Sequence, residues 1–135
     1  MTLFARRASV SAEDAANTRV AGARYEDIAL AHLEKAGLAL LARNYRCRYG
    51  EIDLVMRDGD NVVFVEVRYR RSRGFGGGID SVDAGKRAKL VRAAGAFLAD
   101  HAQLAACACR FDVLAIGAAP DAPQIDWRRN AFEAY

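Results

Sequence analysis

The chain has 135 residues, the length of a single domain. Apolar residues make up 53% and charged residues 27%, which excludes a wholly disordered chain and allows a sizeable core. The formal net charge is +3, but residues 43–92 alone carry +5, and 17 of the 20 basic residues are Arg. Arg suits forked recognition of phosphate, so this bias favours a nucleic-acid surface, although GC-rich codon usage explains it equally well.

The sequence predicts neither a targeting segment nor a disulfide framework. No apolar run approaches the ~18 residues that cross a bilayer, and the first residues lack the apolar core of a secretory signal. The three cysteines are odd in number and form no CxxC pair, so we expect reduced thiols. These features predict a cytoplasmic protein that does not bind membranes.

The elements follow in chain order. Residues 1–18 have weak periodicity and are expected to be a flexible lead-in to one domain over residues 19–135. Helical spacing of apolar residues predicts a helix over 21–37 that stops at Gly37. An extended segment over 38–49 follows it.

The remaining pattern predicts a β-hairpin, a second helix and a further strand. The hairpin strands are predicted at Glu51–Arg57 and Val62–Arg70, and a Gly-rich loop follows over 71–80. The second helix is predicted from an N-cap at Ser81 to about Ala99. After it come a strand at Arg110–Gly117 and a short segment at Gln124–Arg129. This order defines a small α/β domain.

The hairpin register brings two acids together. A loop centred between Gly59 and Asp60 places Asp53 opposite Glu66. Strand alternation then places Ile52, Leu54 and Met56 with Val63, Val65 and Val67 on the other, aliphatic face.

Facing carboxylates destabilise a hairpin unless one is protonated or a cation lies between them. Mg²⁺ typically takes one or two carboxylates together with water and phosphate, so this pair is a candidate metal site. A structural ion cluster neutralised by Arg68 or Arg70 is the alternative. A register shifted by two residues, with Asp53 opposite Arg68, would favour that alternative.

Other residues have plainer interpretations. Asp112 lies in an apolar strand and is expected to be a buried hydrogen-bonding residue paired with Arg110 or a neighbour. Trp127 is expected in the core, and His32 and His101 lack convergent partners.

The string RCRYGEIDLVMRDGDNVVFVEVRYRRS at residues 46–72 resembles the YraN family, also known as UPF0102. Further matching pieces are Gly22 with Glu26 and Ala29, Lys86-Arg87, Arg110-Phe111-Asp112 and Asn130-Ala131-Phe132, so the resemblance covers about residues 20–133. That family resembles the PD-(D/E)XK nuclease superfamily, especially archaeal Holliday-junction resolvases. The resemblance implies a restriction-endonuclease-like fold: a central mixed β-sheet flanked by helices, with an αβββαβ core.

The resemblance also implies site residues and ligands. Asp53 and Glu66 match the acidic ligands of Mg²⁺ or Mn²⁺, the Val67 carbonyl is a further candidate ligand, and Glu26 matches an acid that some members place on the first helix. The implied activity is metal-dependent hydrolysis of phosphodiester bonds in DNA, including branched DNA. By analogy with dimeric resolvases, a homodimer is expected.

This chain departs from the family at one position. The family usually reads FVEVK, whereas Arg68 stands at the Lys position. Arg keeps the charge but is always protonated, so it cannot act as a base. A nucleic-acid-binding module without catalysis is therefore the second hypothesis, and a protein-interaction scaffold with structural acids is the third.

Basic residues around the acids are candidates for phosphate contact. Arg68, Arg70, Arg71 and Arg73 form the densest basic run and continue directly from the acid pair. Lys86 and Lys89 lie on one face of the second predicted helix. Salt-dependent binding of nucleic acid is the property these cations predict.

Overall fold

The structure, a computed structural model, describes residues 12–70, 82–117 and 124–133, without the side chains of residues 12–21 and Arg70. The elements in order are α1 (Ala12–Lys35), β1 (Ala39–Cys47), β2 (Gly50–Asp58), β3 (Asn61–Arg70), α2 (Ala84–Asp100), a single 3-10 turn (Ala102–Leu104), β4 (Ala108–Gly117) and β5 (Gln124–Phe132).

The five strands form one mixed sheet in the order β1-β2-β3-β4-β5. β3 and β4 run parallel, and every other neighbouring pair is antiparallel. The parallel pair requires a crossover, which α2 supplies. The predicted α/β class and αβββαβ order are confirmed, with β5 added as a fifth strand. None of the described helices is long and apolar enough to cross a membrane.

Each face of the sheet carries one helix and one apolar cluster. The cluster under α2 joins Leu90, Ala94 and Phe97 to Val62 and Phe64 of β3. The cluster under α1 is made of a different set of side chains, chiefly Ala29, Leu33, Leu54, Met56, Val63, Val65, Leu114 and Ile116. Residues Phe111–Gly117 of β4 are buried throughout, as expected of a strand covered on both faces.

The predicted hairpin register is confirmed over residues 54–58 and 61–65, and the predicted pair Asp53–Glu66 falls just beyond the end of the ladder. Val55 pairs with Phe64 and Met56 with Val63, and the ladder ends at Leu54–Val65. The register shifted by two residues is excluded. Val63, Val65 and Val67 lie on the α1 face with Leu54 and Met56, as predicted.

Two local predictions are wrong. Ile52 packs in the α2 cluster rather than with Leu54: its pairing with β3 has ended at Leu54, and its remaining strand partner, Tyr45 of β1, packs against the α2 cluster. The N-cap of α2 is Asp83, whose Oδ1 accepts a hydrogen bond of 2.8 Å from the Lys86 amide. Ser81, the predicted cap, lies outside the described residues.

The ends of other elements also differ from the predictions. α1 begins at Ala12 rather than at residue 21, and it ends at Lys35, with Gly37 at φ 102° where a side chain would be strained. Residues 1–11 are outside the described part of the chain, so their flexibility and the division at residue 18 stay predictions. β5 extends to Phe132, three residues past its predicted end.

Asp112 is the buried hydrogen-bonding residue that the sequence predicted. Its carboxylate is 1% exposed and accepts from Arg110 Nε at 3.0 Å, Trp127 Nε1 at 2.9 Å and the Asn130 amide at 2.9 Å. Arg110 also reaches Asp58 at 3.0 Å. Trp127 is partly buried against the α1 cluster, so this acid joins β4 to β5 beneath α1.

Replacing Asp112 with Ala should lower the free energy of unfolding by about 3–5 kcal/mol, because the change leaves a half-paired guanidinium and two donors without their acceptor. Urea unfolding followed by circular dichroism measures this loss. Asp58→Ala is the matched control, since it removes the more exposed acid from the same guanidinium and should cost less than about 1 kcal/mol. Equal losses in the two variants would contradict this account.

Candidate functional site

The β2–β3 hairpin opens at Asp53. Regular pairing stops at Leu54–Val65, and beyond that point the Val67 amide donates a hydrogen bond to Asp53 Oδ2 at 2.8 Å. A side-chain oxygen thus takes the acceptor role that a strand carbonyl has elsewhere in the ladder. The Asp53 carboxylate is thereby held against β3, next to Glu66.

Glu66 is the second acid and is only 5% exposed. Its Oε2 is contacted by Lys86 Nζ at 3.1 Å and by an Arg68 guanidinium nitrogen at 3.5 Å. Lys86 comes from the first turn of α2, where the Asp83 cap holds its amide. Helix and strand therefore both direct a cation at the same buried carboxylate.

An open cavity of about 440 Å³ adjoins the two acids. It lies on the α2 face, at the end of the sheet where β2 begins and β3 ends. Its walls carry both signs of charge, from Gly50, Glu51, Asp53, Glu66, Asp83, Gly85, Lys86, Lys89 and Leu90. The cavity is large enough for a phosphate group with bound water, and both acids and lysines line it.

Negative charge at Asp53 is poorly compensated. Burial and the neighbouring Glu66 charge raise the pKa of Asp53 to about 8, with smaller contributions from Glu26 and Glu51, against the lowering effect of the Val67 amide. Such a carboxyl holds its proton at neutral pH unless a cation compensates the charge. The site therefore favours binding of a positive group beside Asp53.

Glu26 approaches the same site from α1. Its Oε1 lies 3.5 Å from Arg43 Nε, and the Asn44 side chain also bonds to it. Burial raises the pKa of Glu26, as does the Glu51 charge, while the Asn44 and Arg43 contacts oppose that rise. A third acid is thus held within electrostatic range of Asp53.

Arg43 and Asn44 position Glu26. Arg43 also bonds the Asp27 carboxylate at 2.6 Å and the Ala23 carbonyl at 3.1 Å, so it ties β1 to α1. Asn44 has φ 55°, a left-handed conformation that Asn tolerates better than most residues. Sequence reasoning missed both residues, and an Asn inside a predicted strand was the available signal.

The structure brings together most of the predicted site residues. Asp53, Glu66, Arg68, Lys86 and Lys89 lie at one cavity or in contact with its walls. The Arg70 side chain, Arg71 and Arg73 fall outside what the structure describes, so their contact with phosphate stays a prediction. Sequence reasoning missed Glu51 and Asp83, which line the cavity.

Within the described ranges, no group of three or more His, Cys, Asp or Glu side chains is arranged to hold a metal ion. The carboxylates that would do so are a pair, Asp53 and Glu66. The three cysteines are free, and none of them lines the cavity.

A mixed five-stranded sheet between two helices, with two acids of its β2–β3 hairpin at one cavity, is consistent with an endonuclease-like α/β core. The chain belongs to the UPF0102 family, described as an uncharacterised protein family, whose model matches residues 25–116.

Curated relatives cover most of the chain. A UPF0102 protein of Stutzerimonas stutzeri is 55% identical over 84% of this chain and 94% of its own length. One from Pseudomonas paraeruginosa is 50% identical over 90% of this chain and 98% of its own. A third, from Xanthomonas campestris pv. campestris, is 58% identical over 82% of this chain and 89% of its own length.

The raised pKa of Asp53 makes stability depend on pH. Because the folded-state pKa lies above the ordinary value of 3.8, ionisation opposes folding, and this contribution to stability is lost as pH rises from about 4 through 8. Asp53→Asn keeps an acceptor for the Val67 amide but cannot ionise. In EDTA at pH 8 the variant should be more stable than wild type by roughly 1–3 kcal/mol.

Urea unfolding from pH 4 to pH 9 tests this expectation. Asp60→Asn, which alters an exposed carboxyl on the β2–β3 turn, is the control and should leave the wild-type pH dependence unchanged. A wild-type protein that gains stability steadily over this range in EDTA would contradict the assignment to Asp53.

Proposed function

We propose that this protein is a divalent-metal-dependent nuclease that hydrolyses phosphodiester bonds in nucleic acid, with DNA as the expected substrate. One observation carries the proposal: Asp53 is held beside the buried Glu66 at an open cavity, with its pKa raised to about 8. A purely structural acid, such as Asp112, is surrounded by donors instead.

The donor set fits Mg²⁺ or Mn²⁺. The groups available at the acid pair are carboxylate oxygens, with the Val67 carbonyl as a further candidate, and hard cations prefer such oxygen ligands. Asp53 and Glu66 would hold the ion. When bound, it would supply an acidified water and offset negative charge on the phosphate.

The basic residues of the site bind and orient the phosphate. Lys86 and Lys89 project from the first turns of α2 at the cavity, and Arg68 reaches the same acid from β3. Arg68 stays protonated, so it stabilises charge and takes no part in proton transfer. Glu26 adds negative field at Asp53, which strengthens attraction of a cation to the pair.

A nucleic-acid-binding module without catalysis is the second candidate. The observation that favours it is the pairing of Glu66 with two internal cations, Lys86 and Arg68. Such pairing satisfies Glu66 without a metal ion. The two candidates differ in whether metal binds at Asp53 and whether bonds are cleaved.

Cleavage assays separate the two candidates. With Mg²⁺ or Mn²⁺ and end-labelled linear and branched DNA, wild type should cleave, and Asp53→Ala and Glu66→Ala should lose at least about 100-fold in rate, since each removes a proposed ligand. Asp60→Ala is the control, because its acid lies on the far turn of the same hairpin, and its rate should match wild type.

Cleavage that survives in both Asp53→Ala and Glu66→Ala would overturn the assignment of the site. Salt-dependent DNA binding without cleavage in any metal would favour the second candidate. In that case Arg68→Lys tests whether the Arg at this position is what blocks the reaction.

The melting temperature reports metal binding independently of cleavage. Millimolar Mn²⁺ should raise the melting temperature of wild type by a few degrees, because a ligand that binds only the folded state stabilises it. Asp53→Asn should show less than half of that rise, while Asp60→Asn should show all of it. An equal rise in all three proteins would mean that Mn²⁺ binds elsewhere.

A further inference from the structure

Tyr25 of α1 and Tyr69 of β3 form a stacked pair, hereafter the tyrosine pair. Their ring centroids are 4.4 Å apart and their planes differ by 16°. Tyr25 packs against the α1 cluster, whereas Tyr69 is 42% exposed. One ring is thus anchored in the core and supports a second ring that has surface open to solvent.

The tyrosine pair lies next to the candidate site in the chain. Tyr25 precedes Glu26, and Tyr69 follows Arg68. Glu66 faces α2, as its contact with Lys86 shows, whereas Tyr69 faces α1, as its contact with Tyr25 shows. The cavity and the tyrosine pair therefore lie on opposite faces of the same end of β3.

The two rings support each other and lie near arginines. The tyrosine hydroxyls share a hydrogen bond, which contributes with burial to a raised pKa of Tyr25. Arg24 lies close enough to act on Tyr25 electrostatically, and Arg68 adjoins Tyr69. A ring already held in place loses little conformational entropy when a ligand stacks on it.

We propose that the tyrosine pair is a stacking platform for an unpaired base of the nucleic acid whose backbone enters the acid cavity. Aromatic side chains stack on bases of any sequence, and an exposed tyrosine near arginines is typical of single-strand binding surfaces. A base inside a duplex has both faces covered by its neighbours, so away from the duplex ends only an unpaired base is available to Tyr69. This inference rests on the proposed function and names its substrate class.

The spacing fits one continuous strand. Tyr69 lies three positions beyond Glu66, about 10 Å along an extended strand, with its side chain on the opposite face of the sheet. Nucleotides advance about 3.4 Å along each strand of a duplex and further when the strand is extended. A nucleic-acid strand that passes around this end of β3 would place the stacked base a few nucleotides from the phosphate at the acids, so the preferred substrate has single-stranded nucleotides close to the cleaved bond.

Binding in EDTA tests the platform without cleavage. Fluorescence anisotropy would compare a labelled blunt duplex with the same duplex carrying a single-stranded tail. Tyr69→Leu keeps an apolar contact to Tyr25 but removes the ring, and it should weaken binding of the tailed duplex about 10-fold while changing the blunt duplex less than twofold. Tyr69→Phe keeps the ring and should bind both as wild type does.

Tyr49→Leu is the matched control. Tyr49 is exposed on the β1–β2 turn, and its ring is already covered by Arg48 at 5.0 Å from the centroid. This variant should bind the tailed duplex within twofold of wild type. An equal loss in Tyr49→Leu and Tyr69→Leu, or equal weakening of both DNAs by Tyr69→Leu, would overturn the platform.

A second variant covers the case in which Tyr69→Leu fails to fold. Tyr69→Trp keeps a stacking face, and its added fluorescence should be quenched by the tailed duplex and not by the blunt one. Equal quenching by both, or none, means that the tyrosine pair only joins α1 to β3. If the wild-type protein binds neither DNA, the proposed function is overturned along with the platform. If the wild-type protein binds DNA and Tyr69→Leu binds the tailed duplex equally well, the platform alone is overturned.

Discussion

The hydrogen bond from the Val67 amide to the Asp53 carboxylate is the contact on which the candidate site depends. It occupies the place of the next backbone bond in the β2–β3 ladder, so the two strands remain tied after regular pairing has ended. This tie holds an acid at the opening of the hairpin, where burial and the charge of Glu66 act on it. Without it, Asp53 would be one more solvated carboxylate on a strand.

Helix α2 completes the site through its first turn. Asp83 caps the helix by accepting from the Lys86 amide, and the Lys86 ammonium reaches the buried Glu66. The position of the Lys86 ammonium therefore depends on the residue at which α2 begins, and not only on the face of the helix that carries Lys86. A cap at residue 83 also places Lys89 and Leu90 at the same cavity.

Two acids in this small domain, Asp112 and Asp53, differ in how their buried carboxylates are compensated. Asp112 meets donors from β4 and β5 and joins those strands, which accounts for a charged residue in an apolar run. Asp53 has one described donor and like-charged neighbours, and its raised pKa reflects that shortage. The first arrangement stabilises the fold, whereas the second costs stability and leaves an attraction for cations.

The α/β class, the register of the β2–β3 hairpin and the role of Asp112 could be predicted from the amino-acid pattern alone. Strand alternation and a four-residue turn were enough to place Asp53 beside Glu66, because hairpin geometry is local. The packing of Ile52 and the approach of Lys86 to Glu66 follow only from the folded arrangement of the elements. Those features depend on contacts between elements far apart in the chain, and no local periodicity encodes the distance between a helix cap and a strand.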